Sequence, residues 1–355
     1  KSGAGTVILD NANNDYSGGT TISAGTLRTN VASALPDDQA VSVATGGTLD
    51  IDGHDQSIGS LTGDGSVTLG SATLTVHDGN FAGLIDGLGG RLSKTSTGTL
   101  IVSNANTYTG GTTIQQGTLT ARHAEALNQG QVTVLSGATL NIDNVTLALA
   151  NGLALSGIGA GGVGALTGTG TAAYTGGVTL IADARVGAAA LSDQLSLSGA
   201  ITGANRQLEK SGAGTVILDN ANNDYSGGTT ISAGTLRTNV ASALPDDQAV
   251  SVATGGTLDI DGHDQSIGSL TGDGSVTLGS ATLTVHDGNF AGHIGGGTGR
   301  LNKTSSGTLI LSNANTYTGG TTIQQGTLTA RHAQALNQGQ VTVLSGATLN
   351  IDNVT

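Results

Sequence analysis

The sequence predicts an all-β chain wound as a right-handed parallel β-helix, a single-stranded solenoid of about 15 turns. Three observations predict it. Residues 1–146 recur as residues 210–355 at an offset of 209, with eight differences. Within each copy, short runs alternate apolar and polar residues and end in corners of Gly, Asn, Asp and Ser. No stretch carries a sustained 3.6-residue apolar period with caps, so helix is nearly absent.

The repeat comes first. Its eight differences are Leu84/His293, Asp86/Gly295, Leu88/Gly297, Gly89/Thr298, Ser93/Asn302, Thr97/Ser306, Val102/Leu311 and Glu125/Gln334. Four of them fall within 84–89, which marks a tolerant loop or turn. Residues 147–209 join the copies and have no close duplicate, so the chain is read as one continuous β-helix, 1–355, with a less regular middle. Both ends fall at repeat boundaries or inside the pattern, as in a piece of a longer array. A shorter unit lies within the long one. KSGAGTVILDNANNDYSGGTTISAGTL (1–27) matches KTSTGTLIVSNANTYTGGTTIQQGTL (94–119) with one deletion, and further copies start at Lys210 and Lys303. After it, VSVATGGTLDID (41–52) parallels VTVLSGATLNID (132–143), and VTLGSATLTV (67–76) repeats the idea.

Period-2 alternation puts Leu49 with Ile51, and Leu140 with Ile142, on one face. Strands of three to five residues follow, with corners that supply positive φ and local side-chain hydrogen bonds. A sandwich or up-and-down barrel would need Asn-Gly or Asp-Gly hairpins between long alternating runs, and these are scarce. Two Phe, five Tyr and no Trp cannot close a separate core in each repeat, whereas stacked repeats bury one continuous Leu/Ile/Val/Ala interior. The right hand follows from the rule for parallel crossovers. At roughly 20–25 residues per turn and about 4.8 Å per turn the rod would be on the order of 70 Å long.

Composition narrows the function. Glycine supplies 60 of 355 residues, without a three-residue period, and proline only two, which excludes collagen. The 36% apolar content with that glycine excludes a disordered polar chain. Twelve basic against 25 acidic residues leave a net charge of −13, which argues against nucleic acid as a partner. The absence of cysteine removes disulfides, thiolate metal sites and thiol nucleophiles; it hints at the cytosol in a small protein and fits equally a chain that crosses an oxidising compartment unfolded. No basic-then-apolar targeting segment opens the sequence. The least polar stretch, 147–166, is broken by Asn151, Ser156 and many glycines, so it does not reach about 20 consecutive apolar residues and makes a poor membrane span; the chain is expected to be soluble as given.

GTLIVSNANTYTGGTTIQQGTL (98–119), GRLSKTSTGTL (90–100) and SLTGDGSVTLGSATLTV (60–76) resemble autotransporter passenger domains, in particular their passenger-associated, autotransporter-associated β-strand repeat. The resemblance occurs four times and with its flanking rungs covers most of the chain. It implies a secreted right-handed β-helix at the Gram-negative cell surface, exported through a carboxy-terminal outer-membrane barrel that is missing from this sequence. Many relatives are adhesins, aggregation factors or stalks.

The residues offer no catalytic, cofactor-binding or metal site. The NAN triplets at 11–13, 104–106, 220 and 313 are expected to stack as amide ladders between coils, with Tyr16, Tyr108, Tyr225 and Tyr317 lying against the coil, hydroxyls wet. Glycan recognition by these amides and rings is the functional alternative. Asp50, Asp52 and Asp55 around His54, repeated as Asp259, Asp261 and Asp264 around His263, are read as a solvated acidic edge. They lack the converging oxygens of a calcium site. Glycoside hydrolysis needs two carboxyls of split pKa across the bond; the chain has only two glutamates, Glu125 and Glu209, and Glu125 becomes Gln334, which argues against such an enzyme. His54, His77 and His123, with copies His263, His286 and His332, each stand alone, and no Ser-His-Asp set is apparent. Gly157, Gly159 and Gly162 spell GxGxxG without the helix a dinucleotide site needs. The Thr-rich edge at 18–22 is too irregular for an ice-binding face.

The reading is therefore a non-enzymatic stalk or adhesin segment that lifts a distal region or gives multivalent weak adhesion. Self-association that drives aggregation and biofilm is the alternative class, and a polysaccharide-degrading β-helix a remoter one. Partners are the chain itself or a host or abiotic surface, with membrane attachment only through the missing barrel. Open end turns predict end-to-end association or fraying of the excised segment.

Overall fold

A computed structural model describes residues 1–127, 130–149, 151–260, 262–336, 339–352 and 354. The chain is a parallel β-helix of about 17 turns, divided between two compact units, Lys1–Thr179 and Leu180–Thr355. Apart from one 3-10 turn at Ala160–Gly162, no helix occurs among the described residues, and none is long and apolar enough to cross a membrane. Strands pair in parallel with the strand one coil away. Coils are tight where Thr73 meets Arg91 and wide where Thr146 meets Ala173. Most lie at or below the short end of the roughly 20–25 residues expected per turn, and the turn count rises accordingly. The longest coils, such as Leu140↔Leu166, lie in or beside the unduplicated middle segment.

Alternation builds the interior. In the first unit Leu27, Leu49, Val67 and Ile85 are successive register partners, as are Ile114, Val134 and Leu155 on another face. All are buried. In the second unit Leu195, Val216, Leu236, Leu258, Val276 and Ile294 form the equivalent column. Leu49, Ile51, Leu140 and Ile142 face inward as their spacing predicts.

Several strands exceed the expected length. Thr73–Phe81 has nine residues and pairs with both Arg91–Lys94 and Thr99–Val102, one on each side of a bend. Gly79 (φ 129°) provides the bend without breaking the ladder, and a Cβ there would collide with the backbone of Leu61. The variable stretch 84–89 is part strand: Leu84–Asp86 pairs with Ser66–Thr68, and the corner follows from Gly87.

The duplication supplies an internal control on coil stacking. Thr215–Leu218 is covered by Gln194–Leu197 of the preceding coil, and Val216 and Tyr225 are 0% exposed. Their sequence twins Val7 and Tyr16, with no described coil before them, are 46% and 38% exposed. Burial of such a side chain is worth about 1.5–3 kcal/mol, and here the neighbouring coil provides it. Val216→Ala should therefore lower stability by about 2 kcal/mol, and Val7→Ala by less than about 0.5 kcal/mol. Urea unfolding of the two variants measures the difference.

Candidate functional site

The densest side-chain chemistry lies inside the coils. Lys94, Lys210 and Lys303 are fully buried, each in an inward column of aliphatic residues: Lys94 has Val76 and Ile114 as register partners, Lys303 has Val285 and Ile323. Their ammonium groups are held by corner carbonyls. Lys210 Nζ donates to Ser211 O (2.9 Å), Gly212 O (2.8 Å) and, one coil on, Ala233 O (2.9 Å). Lys94 reaches Ser96 O and Gln116 O (3.1 Å), and Lys303 reaches Ser305 O and Gln325 O (3.2 Å). Burial pushes the ammonium pKa of Lys94 and Lys210 down to about 8, with Asp78 opposing at Lys94. Lys303 is lowered for the same reason, against Asp287.

An asparagine two residues before Tyr108, Tyr225 and Tyr317 joins three coils. Ile85 N–H donates to Asn106 Oδ1 (2.8 Å), and Asn106 Nδ2 donates to Ala126 O (2.7 Å). Asn223 does the same between Ile201 N and Ala243 O, and Asn315 between Ile294 N and Ala335 O. Among the described residues these amides bind backbone groups of adjacent coils, where the sequence predicts a ladder of side chains. A coil's buried N–H and C=O need partners more than another amide does. Gln56 plays a similar part, accepting from Leu35 N (3.0 Å) and donating to Val31 O (2.8 Å). Gln265 repeats this with Leu244 and Val240.

The tyrosine expectation is corrected as well. Tyr108, Tyr225 and Tyr317 are buried, their hydroxyls bonded to Thr112, Thr229 and Thr321 Oγ1 at 2.6, 2.8 and 2.7 Å. The four-residue spacing across the Gly-Gly corner turns the threonine inward to meet the phenol. Desolvation raises all three phenol pKa values, that of Tyr317 to about 12, against the threonine bond. Tyr174 is also raised by burial.

The acidic edge is tied into the fold rather than left to solvent. Asp50 is buried against Arg28 of the preceding coil (2.7 Å), and the pairing recurs as Arg122–Asp143, Arg237–Asp259 and Arg331–Asp352. Asp55 and Asp264 accept from Thr73 N and Thr282 N at 2.7 Å. Asp52 sits at a left-handed corner (φ 47°), and its copy Asp261 lies outside the described residues. Two histidines read as isolated have carboxylate partners: His77 with Asp38 (3.2 Å) and His286 with Asp247 (3.3 Å). Winding brings these groups together from well-separated parts of the sequence. His123 and His332 accept the backbone N–H two residues on. Glu209 pairs with Arg185, and Glu125 is exposed. Gly157, Gly159 and Gly162 are corner residues of positive φ.

Surface relief is shallow. In the second unit one depression of about 340 Å³ is lined by Asp224, Asp246, Ser242 and Gln248. Another of about 500 Å³ is lined by Asp247, His286, Asp287 and Ser305. Among the described residues no three metal-ligating side chains converge.

The described residues thus form a repetitive parallel β-helix, tied together from within and only gently contoured outside. The chain carries four copies of the passenger-associated-transport-repeat, at residues 1–28, 92–121, 208–237 and 301–330. It is 34% identical to the adhesin BmaC autotransporter of Brucella suis biovar 1, in an alignment that takes in all of this chain and 13% of that protein. Two Escherichia coli K12 proteins are also similar: the uncharacterized lipoprotein YdeK (31% identity, 43% of this chain, 12% of that protein) and the uncharacterized protein YuaQ (40%, 28% and 8%). The chain thus spans a small part of each relative. No solved structure matches it.

The buried lysines and Gln56 went unnoticed in the sequence. A signal was present: all four lysines of the chain, 1, 94, 210 and 303, open a transport repeat.

Asn223→Ala would leave Ile201 N–H and Ala243 C=O unpaired in the interior and should cost about 3 kcal/mol. Asn14→Ala, which loses a bond only to Ala34 O among the adjacent coils, should cost about 1 kcal/mol, both read from denaturation midpoints. The lysine shifts mean that between about pH 8 and 10 the unfolded chain binds more protons, so stability should rise with pH. Above about pH 10 the buried phenols keep protons that the unfolded chain releases, so it should fall. Tyrosinate absorbance at about pH 11 should accordingly stay low until the protein unfolds.

Proposed function

We propose that this chain is a non-enzymatic segment of a cell-surface adhesin of the autotransporter kind, which gives multivalent weak adhesion and extends a distal region. The similarity to an adhesin autotransporter along the entire chain carries this reading. The duplication supports it, because near-identical copies double any contact surface, and linked weak contacts add through effective concentration. Export across the outer membrane through a barrel in the rest of the protein belongs to the same proposal. So does a surface facing host tissue or abiotic material. The non-enzymatic reading is supported by how the acidic residues are employed: Asp50, Asp143, Glu209 and Asp259 hold arginines.

Cells that display the chain on a heterologous barrel should attach to epithelial cells or matrix-coated plates several-fold better than cells with the barrel alone, without clumping. Unchanged attachment would leave only the extending role, and clumping would favour self-association. New reducing ends or unsaturated products from acidic or neutral polysaccharides would overturn the non-enzymatic reading.

A further inference from the structure

Every lysine of the 355-residue chain begins a transport repeat, and the three that lie within the coils are fully buried. An ordinary surface carries lysine freely; this one does not, among its described residues, place one of those three ammonium groups in water. Geometry gives each a mechanical part. Lys210 lies between Val186 and Ile231 in register, and its Nζ joins the corner carbonyls of its own coil, Ser211 and Gly212, to Ala233 of the next. Lys210 O accepts from Ser232 N, and Thr235 N donates to Gly214 O, so the same two coils are laced on both sides of the cation. Gly234 closes the cage at φ 64°, where a Cβ would collide with the carbonyls of Gly212 and Gly214. Lys94 and Lys303 repeat the arrangement, with Gln115 N and Gln324 N on the lysine carbonyls.

We propose that these lysines are latches: each ammonium leaves its carbonyl cage only when the two coils it joins part, so that a transport repeat opens as a block. Until it opens, its amine is closed to reagents and to lysine-directed proteases. The block is bounded because the cage touches two coils only, and each latch acts on its own repeat.

The test pulses the full chain at neutral pH with an acetylating N-hydroxysuccinimide ester and reads each lysine by peptide mass spectrometry, beside amide hydrogen exchange of the same peptides. Lys94, Lys210 and Lys303 should react at least about 100-fold more slowly than in the chain unfolded in guanidinium. The protection of the Lys210 amine should match that of the Ser232 and Thr235 amides within about threefold. An amine that labels far faster than those amides exchange would show that the side chain swings out alone, and would overturn the proposal. Lys210→Met should speed exchange about tenfold or more in both 211–218 and 229–238, and leave 301–330 at the parent rate. Unchanged or uniformly faster exchange in that variant would also overturn it. Should Lys210→Met fail to fold, the comparison of amine and amide protection in the parent chain decides.

Discussion

Each coil of this protein has an inner face too small to be a core, and only the coils on either side can cover it. That constraint governs the rest. Val216 and Tyr225 are interior residues because the preceding coil runs beside them, Gln194–Leu197 along Val216 and Ile201 to Gly203 along Tyr225, as the exposure of the same residues at positions 7 and 16 makes plain. Helical repeat proteins obey the same nearest-neighbour logic. Here the contact is a backbone ladder as well as an apolar column, so hydrogen bonding and burial are lost together.

An interior of Leu, Ile and Val alone would be indifferent to where along the chain a coil is placed. Side chains such as Asn106, Gln56 and Lys210 remove that indifference. Each has specific backbone partners on a neighbouring coil, and in a low-dielectric interior an unmet partner is costly. A slip of one residue would also turn every inward side chain outward. Apolar columns thus supply the bulk of the stability, and the buried polar groups select the register.

Much of the architecture was legible. Offset-209 duplication, period-2 runs around Leu49 and Leu140, and glycine corners point to stacked parallel coils, and the strands pair that way. What the sequence concealed were contacts made across a coil. His77 and Asp38 stand far apart along the chain, and nothing local announces their meeting. Asn106 reads as a rung of an amide ladder and Tyr108 as a ring against the coil with its hydroxyl wet, because polar atoms do not show which groups they meet. Their inward orientation depends on a threonine later in the same corner and on carbonyls a full coil away. Lys94 violates ordinary burial preference outright. Its site consists of carbonyls, which every residue possesses and no sequence pattern distinguishes. The resemblance to the transport repeat located these segments without revealing their wiring.

The two long copies share more than residues: they share partners. Val41 meets Leu61 as Val250 meets Leu270, and Thr48 meets Ser66 as Thr257 meets Ser275. Recombination between the matching stretches of the gene would delete or add a whole block and still join every strand to a familiar neighbour. Such a protein can change length between generations without relearning how to fold.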